Sequence, residues 1–217
     1  MGKLKQISKE TKCLLIFDEI TSGWRIGSSG IHKQLGVNPD IAIFGKTIAN
    51  GIAMGAIIGK KKVMKFSTKT FMSSAFWTER LGPACALAFI KKHKRLNLGL
   101  ILSEKGKKIK KIWKTAADNA DLGIKISGID PLASFKLDIS NWRAGITFFN
   151  QEMLKRGFLT SDRCYANYKH DENSLSKYKN ACTDVFEKIA KFEREKTLVK
   201  KINGPLKMID FGRVNLK

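Results

Sequence analysis

The chain is short of acid. Against 41 lysines and arginines it has 19 aspartates and glutamates, a formal net charge of +22 over 217 residues. Such an excess raises nucleic acid or an anionic surface as a partner. No RNP-type, zinc-finger or helix-turn-helix signature accompanies it, however, and the lysines are spread through nearly every segment, densest from Lys105 to Lys114. The charge therefore reads as a general lysine bias, with no nucleic-acid partner expected. A basic nucleic-acid-binding protein stays as an alternative. Metal-ligand spacing is also missing: Cys13, Cys85, Cys164 and Cys182 include no Cys-x-x-Cys, and the three histidines are far apart, so no metal site is expected. The amino terminus has no basic head followed by a long apolar stretch. No apolar run approaches the roughly 18 to 20 residues that span a bilayer. These absences point to a reduced, cytoplasmic protein without a membrane partner. Neither a Gly-x-Gly-x-x-Gly nor a Walker spacing occurs, which excludes the common nucleotide fingerprints.

What is present suits a globular α/β chain, with 43% hydrophobic residues. Residues 1–12 read as a short helix. Cys13 to Phe17 is an uninterrupted apolar run of strand length, of the kind buried on both faces in a parallel sheet, and it ends in Asp18-Glu19. Gly36 to Asp40 signals a turn into a second strand, Ile41 to Phe44, ending at Gly45-Lys46. Ala56 to Gly59 reads as a third strand. Ser67 to Thr78 is expected to be a loop, with a small-residue helix from Glu79 and a long basic helix from Leu98 to Ala117. Beyond Asp118 the pattern turns to period two over Leu122–Gly128 and Phe135–Ile139. A helix over Ala144–Arg156, a strand over Gly157–Thr160 and an amphipathic helix capped by Asp171 follow. The expected division is 1–97 as a partial large domain and 98–217 as a small α+β domain.

The blocks Leu15-Ile16-Phe17-Asp18-Glu19-Ile20-Thr21-Ser22-Gly23-Trp24-Arg25, Pro39 through Lys46, Asn50-Gly51, Ser73 through Pro83 and Gln151 through Phe158 carry a resemblance. In that order they resemble the class-III pyridoxal-phosphate-dependent aminotransferases, most closely the glutamate-1-semialdehyde aminomutase-like branch. By themselves the acidic pair reads as a cap or surface loop and Lys46 as a solvated lysine; several ordered blocks together reverse that reading. The resemblance implies the C-terminal half of a fold-type-I transferase, a partial, mostly parallel sheet with helices followed by a small α+β domain. It implies pyridoxal 5'-phosphate as cofactor and a small amino or keto compound as substrate.

Residue by residue, Lys46 matches the family lysine that forms the Schiff base, a role that needs a neutral amine and is favoured by desolvation. Asp18 matches the carboxylate paired with the pyridine nitrogen, and Ile20 the side chain packed on the ring. Thr78 matches the threonine that binds the cofactor phosphate of a neighbouring subunit, which implies a homodimer. Read without the family, Thr78 is equally a helix cap. Arg25 binds a carboxylate or supports its loop; Trp24 and Trp77 read as core or interface, and His32, His93 and His170 as surface or packing residues. The family's N-terminal half, with its phosphate loop and ring-stacking aromatic, is not matched. The expectation is transamination or intramolecular amino transfer completed by a separately encoded N-terminal half. An inactive remnant is the alternative.

Overall fold

The structure, a computed structural model, describes residues 2–208; Met1 and residues 209–217, the outer ends of the two expected domains, lie outside the described residues. The chain divides into two compact units, Met1–Leu102 and Ser103–Lys217.

The first unit opens with helix α1 (Gly2–Glu10), strand β1 (Ile16–Asp18), the short helix α2 (Ile31–Gln34) and strand β2 (Ile41–Phe44). A 3-10 turn over Lys46–Ile48, strand β3 (Ala56–Gly59), the short helix α3 (Lys61–Met64), a second 3-10 turn over Lys65–Lys69 and helix α4 (Leu81–Leu96) follow. β1 pairs parallel with β2, Ile16 opposite Ile41 and Asp18 opposite Ile43. β2 pairs antiparallel with β3, Ile41 opposite Gly59 and Phe44 opposite Ala56. The sheet is thus mixed, and its parallel part is β1–β2.

Three expectations change here. The first strand is shorter and later than Cys13–Phe17, and it is not buried on both faces: Leu14 and Ile16 remain 53% and 50% exposed. Nothing among the described residues covers that side. The expected loop from Ser67 is entered through the 3-10 turn that ends at Lys69. α4 begins at Leu81, with Arg80 as the residue ahead of its first turn, so Thr78 is not its cap. The helix closes on Asn97 in the left-handed region at φ 49°, where a short polar side chain is tolerated.

Helix α5 (Leu98–Asn119) begins in the first unit and continues through the second. The second unit then holds strands β4 (Ile124–Ser127) and β5 (Leu132–Leu137), helix α6 (Trp142–Lys155), strand β6 (Arg163–Tyr165) and helix α7 (Glu172–Arg194). β4, β5 and β6 form an antiparallel sheet in that order. Its core is aromatic, with Trp113, Phe135, Phe149 and Phe186 in successive ring contacts at centroid distances of 4.8, 5.4 and 5.6 Å. The Trp113 Nε1–H donates to the Tyr178 hydroxyl at 2.8 Å, so the one polar atom of that ring is satisfied inside the core. α7 turns Leu175, Cys182, Val185, Phe186 and Ile189 inward at helical spacing, and the Asp171 carboxylate caps it by accepting from Ser174 N at 2.7 Å.

Glu152 is buried between Lys155 and Arg156, whose side chains donate at 2.6 and 3.0 Å. Burial pushes its carboxyl up, but these hydrogen bonds prevail and hold it at about 2. The expected strand at Gly157–Thr160 does not form. Gly157 takes φ 81° to end α6, and the edge of β5 pairs with Arg163–Tyr165 instead. Among the described residues no helix is long and apolar enough to cross a membrane.

Candidate active site

Parallel pairing of β1 with β2 brings the carboxyl ends of both strands to one edge, where open α/β sheets present their ligand-binding groups. Asp18 is the last residue of β1, and Lys46 lies three residues past its partner Ile43. The Asp18 side chain is exposed and accepts from the Ile20 amide at 2.9 Å, which folds the chain sharply after the strand. Successive residues of an extended chain point to opposite faces. Glu19 consequently points inward and is fully buried.

Glu19 anchors the loop that follows. One carboxylate oxygen accepts from the Ser22 hydroxyl at 2.5 Å; the other accepts from the His32 amide at 2.9 Å and lies 2.9 Å from His32 Nδ1. Burial pushes the Glu19 carboxyl up, but the hydrogen bonds from Ser22, the His32 and Ile31 amides and the His32 ring prevail, leaving it below the usual carboxylate range. The His32 ring packs edge-on to Phe17 at 5.8 Å. The loop from Ile20 to Gly23 is therefore pinned at its base.

That loop meets Lys46. The Lys46 ammonium donates to the Thr21 hydroxyl at 2.5 Å, and the Thr47 hydroxyl donates to the Gly23 carbonyl at 3.1 Å. Lys46 itself has φ 44°, a left-handed conformation uncommon for any residue that carries a Cβ, and it starts the 3-10 turn. Gly45 precedes it because the Ile20 side chain approaches closely: a Cβ on Gly45 would stand 3.3 Å from Ile20 Cγ2. Gly23 is more strictly required, since an added Cβ would lie 2.8 Å from the Glu19 carbonyl oxygen.

Lys46, Asp18 and Ile20 are thus brought to one edge. The desolvation expected of Lys46 is not provided by this chain alone, since its side chain is exposed. An open groove of about 650 Å³ adjoins it, running from Ile20 and Gly45 past Met54 and Ile57 to Phe76, Trp77 and Glu79. Thr78 is exposed in the turn beside that groove and does not line it, and its side chain has no hydrogen-bond partner among the described residues.

Arg25 donates through Nε to the Thr21 carbonyl at 3.2 Å, which supports the loop. Trp24 belongs to the core, whereas Trp77 is 67% exposed. His32 and His93 are both buried packing residues, and burial pushes the His93 imidazole down. Sequence reasoning missed Thr21 as the Lys46 partner and missed the Glu19–His32 pair. The Asp-Glu doublet at a strand end was the available signal for Glu19, because one of two adjacent residues there must face inward.

A lysine and a carboxylate thus stand at the carboxyl edge of a half-open α/β sheet, the edge at which such sheets build their sites. The chain belongs to the aminotransferase class-III family, whose model matches residues 1–129. It is 33% identical over 138 residues to the 3-aminobutyryl-CoA aminotransferase of Cloacimonas acidaminovorans (strain Evry), covering 62% of this chain and 33% of that protein. It is 32% identical over 129 residues to the glutamate-1-semialdehyde 2,1-aminomutase of Nitrosopumilus maritimus (strain SCM1), covering 57% and 30%. Among solved structures, the PLP internal aldimine form of the FumI protein of Sphingopyxis sp. MTA144 superposes with a TM-score of 0.78 at 19% identity, covering 86% of this chain and 46% of that one. An omega-transaminase from Sphaerobacter thermophilus gives a TM-score of 0.78 at 19% identity, with 88% and 47% covered. The fold is therefore that of the PLP-dependent transaminases, and the chain spans between 30% and 47% of the length of these relatives.

Proposed function

We propose that this chain carries the lysine-bearing half of a pyridoxal-phosphate-dependent aminotransferase or aminomutase site and works in the cytoplasm on a small amino or keto compound. The observation that carries this reading is the meeting of Lys46, Thr21 and Asp18 at the carboxyl edge of β1–β2 in a class-III chain. The donor set fits the cofactor: an amine for its aldehyde, a carboxylate for its ring nitrogen, and an apolar Ile20 held against Gly45 for its ring face. When bound, pyridoxal phosphate supplies the electron sink for a substrate carbanion.

Lys46 Nζ would hold the cofactor through its aldehyde carbon and, as a free amine, would carry a proton to and from the substrate carbon. The Thr21 hydroxyl orients that nitrogen. Asp18 would keep the ring nitrogen protonated through its negative charge, and the Glu19–His32 anchor holds the Asp18–Thr21 turn in register. Thr78 would offer its hydroxyl to the cofactor phosphate of a neighbouring subunit in a homodimer. The first unit would then be the cofactor domain and the second the small domain. The relatives' names include both an aminotransferase and an aminomutase, and the same residues serve either.

Exposure of Lys46 and Asp18 supports a site completed by a second polypeptide that supplies the remaining pocket, in the position of the family's N-terminal half. The test is visible absorbance after incubation with pyridoxal phosphate, with and without an N-terminal fragment of a class-III relative. A band that appears with the fragment and disappears in Lys46→Ala is expected. No band under either condition would leave the chain as a remnant without catalysis.

A further inference from the structure

At the opposite, amino end of β1 and β2 lies a second cleft, of about 370 Å³. It is walled by Lys5, Lys9 and Lys12 from α1 and its exit, by Asp40 ahead of β2, and by Lys60 and Lys62 after β3. The topology makes this convergence: β1 and β2 begin here, and β3, antiparallel to β2, ends here. Its single carboxylate is already committed. Asp40 accepts from Lys60 Nζ at 2.8 Å and from the Leu15 amide at 2.9 Å. Lys62 acts on Asp40 through its field, and Lys5, Lys9 and Lys12 make no ion pair among the described residues. Five lysines thus face one concavity against a single carboxylate. Lys12 is held there by a left-handed turn, φ 55°, that swings the chain from α1 into β1.

We propose that this cleft binds a small phosphorylated anion, at a site separate from the Lys46 edge. A volume of this order suits a compact ligand carrying one or two phosphate groups. Lysine ammonium groups are compact point charges that serve such ligands without demanding a fixed fork geometry. A nucleic acid would instead require a basic surface continued along its backbone. The proposal does not depend on the cofactor reading, because none of these residues belongs to the Lys46 edge.

Cys13, exposed in the same cleft, is a built-in reporter. Its alkylation by iodoacetamide can be followed by mass spectrometry on the full chain at constant ionic strength, with inorganic pyrophosphate as the probe and half-buried Cys85 as internal control. Pyrophosphate is expected to slow Cys13 alkylation several-fold and saturably, leaving Cys85 unchanged. The triple variant Lys9→Glu, Lys12→Glu, Lys62→Glu should lose the protection. Lys107→Glu, Lys111→Glu, Lys179→Glu, an equal charge change on exposed lysines of the second unit, should keep it. If the first triple variant melts early, Lys9→Gln with Lys62→Gln carries the same test. Equal loss in both triple variants, absence of protection, or protection by a short RNA but not by pyrophosphate would each overturn the proposal.

Discussion

The two units treat their apolar residues differently. In the second, the rings of Trp113, Phe135, Phe149 and Phe186 are each no more than 3% exposed, and the alternating strands turn one face to that cluster and the other to water. In the first, burial is confined to a smaller cluster around Trp24, Phe44 and Ile48, while Leu14, Ile16, Ile57, Ile58 and Phe71 stay exposed. A period-two strand needs one covering layer, and the second unit supplies it from its own helices. The first unit's strands are apolar on both faces, and the described residues cover one. A continuous apolar run therefore signals how much cover a strand was selected to receive, whether or not the same chain provides it.

Substitution in the two units should separate them. Trp113→Ala should cost about 3–5 kcal/mol, the range for emptying a large ring site in a closed core, read as a lower urea midpoint for the second unit by hydrogen exchange. Retention of that midpoint would show the second core to be looser than its burial implies. Acid should act next. Glu152 sits at about 2 when folded against an ordinary 4.5, so its contribution is fully present above pH 4.5 and is lost as pH falls toward 2. The shift corresponds to about 3 kcal/mol, and Glu152→Gln should flatten the second unit's stability across that window. The smallest effect is expected at the exposed sheet face. Ile58→Lys should change first-unit stability by less than about 0.5 kcal/mol while reducing self-association in sedimentation. A large loss would mean that this face is covered in solution.

The strands at Ile41–Phe44 and Ala56–Gly59 were legible because turn signals bracket short apolar runs, whereas Lys46 and Asp18 were singled out by the ordered blocks that resemble the family and not by their local pattern. The helices over Leu98–Asn119 and Glu172–Arg194 were legible from periodicity. The strand at Arg163–Tyr165 was not, since its residues are polar or half-buried and only pairing with Leu132–Ser134 makes it a strand. Glu19 and His32 stand thirteen residues apart on separate elements, and no local pattern reveals that tertiary folding closes their 2.9 Å contact. Thr21 escaped for the same reason: it is a loop residue until Lys46, twenty-five positions on, reaches it.

The strand pairings also set an order of events in time. β4 and β5 are joined by a tight connection through Gly128 at φ 82°, so their ladder closes a short loop. β1 and β2 can pair only after the chain has closed the long stretch from Glu19 to Asp40, whose only helix is the short α2. Early loop closure favours short sequence separations. The β4–β5 ladder should then form ahead of the β1–β2 pair, leaving the lysine-bearing edge to assemble after it.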